Sequence, residues 1–164
     1  MGHTYLKLMD HSFMENHPRL ITLLQQGPRW NSPKHGHKHW LRVVENGCRI
    51  AEHTPQVDRT VVELFGLLHD SQRWNEGDDP EHGKRAAEYA ESIRELLNIT
   101  DQQFQLLAHA LTNHTAERFN ADPTIGACYD ADRLDLGRVR IKPNPKYLNT
   151  AYGKYLAQQI ESPK

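Results

Sequence analysis

The chain of 164 residues carries 20 lysines and arginines against 21 aspartates and glutamates, with 37% hydrophobic and 25% charged residues. That length suits one folded domain able to bury a core without staples, and a net charge of −1 speaks against a dedicated nucleic-acid binder, whose affinity rests on many phosphate contacts. No apolar run approaches the roughly 18 residues of a membrane span and no charged-then-apolar leader opens the sequence, so a soluble, cytoplasmic protein is expected.

Cys48 and Cys128 lie too far apart for a Cys-x-x-Cys site and read as reduced small hydrophobes. Histidine is the anomaly, with 11 scattered copies. From the N-terminus, Tyr5, Leu6, Leu8, Met9, Phe13 and Met14 over residues 4 to 14, and Leu20, Leu23 and Leu24 over 18 to 25, predict packing helices. Gly27-Pro28 and Ser32-Pro33 interrupt the chain. His35, His37 and His39 then lead into a segment with Trp40, Val43, Val44, Gly47 and Ala51 on one stripe. His39 falls at the edge of that stripe, near Val43 and Ile50, and is the best placed to face inward; a solvated helix entry explains His35 and His37 well.

The next helix is expected to begin around Asp58 to Thr60, where Thr60-Val61-Val62-Glu63 fits a capping box. It is apolar almost all round from Val61 to Leu68, which places it at the centre of a bundle, and it ends abruptly in His69-Asp70. Two polar groups closing a buried segment cost several kcal/mol unless paired, hydrogen-bonded or bound to metal. Consecutive helical residues diverge by about 100°, so His69 and Asp70 reach one ion only if it sits beside the helix end. A polar loop, Ser71 to Asp78, follows.

Asp79-Pro80 is expected to supply the N-cap and first-turn proline of a helix whose inward face is Ala86, Ala90, Ile93 and Leu97, with His82 on the same side one turn earlier. Alone, His82 needs no more than a loop carbonyl as partner. Thr100 and Gln103 form a capping box, with Ile99 and Phe104 as hydrophobic staple. Phe104, Leu107, Ala108 and Leu111 define the core face of that helix; His114, about 20° from Leu107 on the wheel, points in and His109 points out. Asp122-Pro123 opens a segment in which Ile125, Tyr129 and Leu136 share a face with Asp132. A carboxylate there needs a cation or several hydrogen bonds, whereas Asp130 reads as a solvated acid and Asp135 as less central. Beyond Gly137, Pro143 and Pro145 mark a loop, and Tyr147 to Gln159 predicts a last helix. With no strand pattern and no repeat, the expectation is one all-α domain of five to seven helices spanning residues 1–164.

The inward-facing polar groups are His39, His69, Asp70, His82, His114 and Asp132. Four imidazoles and two carboxylates suit zinc, iron, manganese or nickel, and suit calcium poorly. Each residue alone has an ordinary structural explanation, but six on the buried edges of successive helices argue for a metal centre.

The pattern resembles the HD superfamily of metal-dependent phosphohydrolases. The matching stretches are His35 to Val43 around His39, the doublet His69-Asp70 thirty residues later, and Asp130 to Asp135 around Asp132. They cover about residues 35 to 138, with helices 4–25 and 147–159 packing on that core. The resemblance implies a first metal site built from His39, His69, Asp70 and Asp132. It also implies one or two divalent ions (Mn, Fe, Ni or Zn), with His82 and His114 either ligating a second ion or contacting substrate beside a single one. Where the family often continues with an Ile-Gly-Lys-like run after the doublet, this chain has Ser71-Gln72-Arg73, which makes Arg73 a candidate phosphate contact. Arg133, Lys84 and Arg138 are also within reach in sequence, and a solvated charge explains Lys84 and Arg138 equally well. The function implied is metal-dependent hydrolysis, with Asp70 as catalytic residue, of a small phosphate ester such as a nucleotide or related phosphomonoester or diester. A dinuclear iron oxygenase of the same superfamily and a non-catalytic nucleotide-sensing or scaffold domain are the alternatives. Nothing in the sequence specifies a membrane partner or an oligomeric state.

Overall fold

The computed structural model describes residues 12–162, and these are all-helical. The α-helices are α1 (Ser12–Asn16), α2 (Pro18–Gln26), α3 (His37–His53), α4 (Arg59–Leu68), α5 (His82–Ser92), α6 (Arg94–Leu97), α7 (Asp101–Asn113), α8 (Pro123–Arg133) and α9 (Ala151–Gln159), with 3-10 turns at Leu136–Val139 and Pro145–Tyr147. The all-α expectation holds, but nine helices exceed the five to seven expected. One reason is that the expected helix through Leu97 breaks at Ile93. Of the expected helix over residues 4 to 14, residues 4–11 lie outside the described residues.

α4 occupies the centre. Every residue from Val61 to Leu68 is buried, as its all-round apolarity requires, and α3, α7 and α8 pack around it, with α5 laid against α7. At the crossing with α3, a Cβ on Gly66 would stand 2.6 Å from Val44 Cγ2 and 2.8 Å from Val44 N. Only glycine allows the two backbones this approach, and it presses α4, three residues before His69, against the middle of α3.

Several starts follow the sequence and several correct it. Thr100 and Gln103 do form the capping box of α7, and the Asp122 carboxylate accepts from Thr124 N (2.8 Å) and Ile125 N (3.1 Å) to start α8. The cap of α4 is Asp58 rather than Thr60. Its Oδ1 accepts from Val61 N at 3.1 Å and its Oδ2 from Gln103 Nε2 of α7 at 3.0 Å, so one side chain satisfies a helix end and ties two helices. Glu63, assigned to the box, is buried and meets His17 (3.1 Å) and Arg59 (3.2 Å) instead. Asp79-Pro80 forms a turn and not a helix start: the Asp79 carboxylate accepts from Trp74 N (2.8 Å) and Arg85 Nη2 (2.6 Å), closing the preceding loop, and α5 begins only at His82.

Asp130 is the largest reversal. Expected in solvent, it is fully buried, and it accepts from the backbone N–H groups of Asn149 and Thr150 and from the Thr150 hydroxyl, each at 2.7 Å. Burial outweighs these bonds and holds the carboxyl above its ordinary value. It thereby organises the start of α9, which begins at Ala151 after a short 3-10 turn rather than at Tyr147. Both cysteines are free and buried, and burial pushes the Cys48 thiol up to about 12. Among the described residues, no helix is long and apolar enough to cross a membrane.

Candidate metal centre

Five elements deliver the expected cluster. His39 lies in the first turn of α3, His69 and Asp70 at the end of α4, His82 at the start of α5, His114 at the end of α7 and Asp132 in the last turn of α8. His39, His69, Asp70, His82 and His114 are 0–5% exposed, and the Asp132 side chain, at 19%, is the most exposed of the group.

The hydrogen bonds on the far side of each ring determine what the near side can do. His69 Nδ1 donates to Gly66 O (3.0 Å), His82 Nδ1 to Asp79 O (2.6 Å) and His114 Nδ1 to Leu111 O (2.8 Å). Carbonyl oxygens only accept, so these three Nδ1 atoms carry a proton and, in the neutral ring, each Nε2 presents a lone pair. His39 Nδ1 donates at 2.7 Å to Asp135 Oδ2, and Asp135 Oδ1 is in turn held by Arg42 Nε at 2.7 Å.

The four Nε2 atoms then meet in pairs. His39 Nε2 stands 3.0 Å from His69 Nε2, and His82 Nε2 stands 3.0 Å from His114 Nε2. Lone pairs opposed at that distance repel unless a proton or a metal cation lies among them. Asp70 stands between the pairs. Its Oδ2 is 3.3 Å from His39 Nε2 and 3.4 Å from His69 Nε2, while its Oδ1 is 3.2 Å from His82 Nε2 and 4.0 Å from His114 Nε2. Asp132 Oδ1 joins the first pair at 3.2 and 3.6 Å, and it is buried with no hydrogen-bond partner. Two groups therefore have the separations a metal ion needs: His39, His69 and Asp70, and Asp70, His82 and His114. The donor set fits a borderline divalent ion.

The electrostatics agree. Burial works against charge on His39, but the carboxylates of Asp132, Asp135 and Asp70 outweigh it and raise the imidazole to about 10. Burial also opposes charge on Asp70, yet the neighbouring His69, His39 and His82 hold the carboxyl well below its usual range. Asp132 is likewise held low against burial by His39 and His69. His114, buried and beside His69, is lowered to about 4 and stays a neutral donor. A cation entering here displaces a proton that the carboxylates otherwise retain.

A family model, HD domain, matches residues 36–137. The chain belongs to the HD superfamily. No curated protein and no solved structure matches it. The family is usually one of metal-dependent hydrolases, and the histidines and carboxylates of this HD domain converge as its pattern implies.

The expected phosphate contacts fare differently. Arg73 borders the second group, with Nη1 3.1 and 3.3 Å from the two His82 ring nitrogens and 3.7 Å from Asp70 Oδ1. Its other donors bind Asn75 O and Gly77 O and pin the loop after the doublet. Arg133 is turned away: its guanidinium donates to Glu117 O, Arg118 O and Tyr147 O, stitching two loops together. Lys84 is exposed on α5, whose inward positions here are His82 and Gly83. His109 faces out as expected, 41% exposed and paired with Glu117. Sequence reasoning passed over Asp135, the carboxylate that fixes the His39 tautomer. Its spacing of three from Asp132, one turn along the same side, is the signal that identifies it.

Proposed function

We propose that this HD domain is a two-metal phosphohydrolase acting on a small phosphate ester, a nucleotide or a related phosphomonoester or diester. The observation that carries the reading is the placement of Asp70, whose two carboxylate oxygens face two separate histidine pairs. His39, His69, Asp70 and Asp132 would hold one divalent ion, and Asp70, His82 and His114 a second. Bound ions supply an acidified water and Lewis-acid polarisation of a phosphoryl oxygen near neutral pH. Asp70 would hold both ions rather than take a proton, because a carboxyl held well below its usual range is a weak proton acceptor at neutral pH. Asp135, with Arg42, keeps the His39 ring turned toward the ions. Arg73 pins the loop beside His82 and Asp70 through Asn75 O and Gly77 O.

The test is metal content by elemental analysis together with hydrolysis of a panel of nucleotides and simple phosphate esters in manganese, nickel, iron and zinc. About two ions per chain and metal-dependent phosphate release are expected, and both are expected to be lost in Asp70→Asn with fold retained by circular dichroism. Full activity in that variant refutes the assignment. Oxygen consumption by the iron form without phosphate release turns the same centre into an oxygenase.

A further inference from the structure

Of the four cations near the centre in sequence, Arg73 spends Nε and Nη2 on loop carbonyls and its Nη1 on His82 and Asp70, Arg133 is held by loop carbonyls, and Lys84 is on the surface. Arg138 differs. It sits on the 3-10 turn Leu136–Val139 that follows α8, with its side chain only 12% exposed. Nη1 donates to Asp135 O at 2.9 Å, which anchors one end of the guanidinium. The opposite edge, Nε with Nη2, is not matched. Nε is buried and has no hydrogen-bond partner, and Nη2 lies 3.7 Å from Asp132 Oδ1, beyond hydrogen-bond range.

No neighbouring carboxylate completes that edge. Asp135 is committed through both oxygens to His39 and Arg42. Asp132 Oδ1 faces His39 and His69, and it too is buried without a hydrogen bond. A buried guanidinium donor left without an acceptor is costly in a folded protein. The turn bearing it is also held in a conformation a non-glycine residue rarely takes. Arg140 closes it in the left-handed region (φ 63), locked by Arg140 N to Gly137 O and Ile141 N to Leu136 O. Strain of this kind persists where the surroundings over-determine it, and such positions concentrate at ligand sites.

We propose that Arg138 is the anion-gripping residue of the site, receiving two oxygens of the substrate's phosphoryl group on its Nε and Nη2 edge, beside Asp132. A guanidinium edge matches two oxygens of a phosphoryl group in a way a lysine ammonium does not. The assignment rests on the phosphohydrolase reading and sharpens it: the phosphoryl group approaches from the Asp132 side, and Arg73 stays with the loop beside His82 and Asp70.

The experiment compares the parent with Arg138→Met and Arg138→Lys, using inorganic phosphate as probe. Phosphate binding is measured by titration calorimetry with and without manganese, and manganese per chain and the unfolding midpoint are measured alongside. The expected result is a rise in the phosphate Kd of about ten- to a hundredfold in Arg138→Met, a smaller rise in Arg138→Lys, and unchanged manganese content in both. Phosphate affinity equal to the parent's in Arg138→Met overturns the assignment and leaves the proposed function standing. So does a parent that binds no phosphate. Loss of manganese in step with phosphate overturns it in favour of a residue that merely positions Asp132, and if Arg138→Met does not fold, the same criteria apply to Arg138→Lys. Arg138-dependent phosphate binding by a manganese-loaded parent that hydrolyses no phosphate ester upholds Arg138 and refutes the hydrolase.

Discussion

Replacing Gly83 by alanine should remove half of the proposed metal centre while sparing the other half. A Cβ at this position would lie 2.3 Å from Leu111 O, 3.1 Å from Thr112 O and 3.3 Å from His114 Cε1. The nearest obstacle is a backbone carbonyl of α7, the one that fixes His114, so no side chain can swing aside. An ordinary carbon-to-oxygen contact needs about 3.3 Å, and α5 must therefore retreat from α7 by about 1 Å. His82 moves with α5 and His114 stays with α7. Metal sites tolerate only about 0.2 Å in ligand distance, so the group of Asp70, His82 and His114 fails. His39, His69 and Asp132 belong to α3, α4 and α8 and do not feel the change directly. Overpacking of this kind costs about 1–3 kcal/mol, or about 2–12 °C in midpoint for a chain of this size. The assay is elemental analysis of purified Gly83→Ala with a thermal melt. One ion per chain where the parent holds two, with a lowered midpoint, is expected. Two ions in the variant, or an unchanged midpoint, refutes the reasoning.

Asp130→Ala should destabilise by about 2–5 kcal/mol in urea denaturation, because it strands the Asn149 and Thr150 donors in a buried site; a loss under 1 kcal/mol would show that water replaces the carboxylate. Glu63→Gln should give a pH-dependent loss. The Glu63 carboxyl is buried, which by itself raises it, yet His17 and Arg59 hold it below its ordinary 4.5, so its contribution is fully present above the unfolded value and disappears as pH falls through the lower folded value. The unfolding free energies of parent and variant in urea should thus differ by about 1–3 kcal/mol at pH 7 and converge as pH falls through the lowered folded value, and a gap independent of pH would contradict the account.

The six converging ligand candidates were legible because helical phase is a local property. Once Leu107 is known to face the core, His114 two turns later must face it too. What phase cannot report is a second packing partner. Asp130 and Asp132 lie on opposite sides of α8; the wheel aimed Asp132 inward and consigned Asp130 to water, but α9 covers that other side. Arg133 failed for a related reason: its acceptors are carbonyls of two loops whose positions depend on tertiary structure. The failed capping box of α4 and the misplaced start of α5 share one cause. Where two residues could cap, the choice falls to whichever carboxylate also meets a distant donor, Gln103 for Asp58, while Asp79 is drawn to Arg85 and Trp74.

The ring anchors also divide the centre in time. His69, His82 and His114 each donate to a carbonyl three residues back, so a single helical turn orients them as soon as it forms. His39 depends on Asp135, ninety-six residues away. During synthesis from the N-terminus, the group of Asp70, His82 and His114 has all its parts once residue 114 has emerged, whereas the other waits for Asp132 and Asp135. The two halves of the proposed metal centre are thus completed in the reverse of their order along the chain, and the half containing His39, the first candidate ligand, is the last.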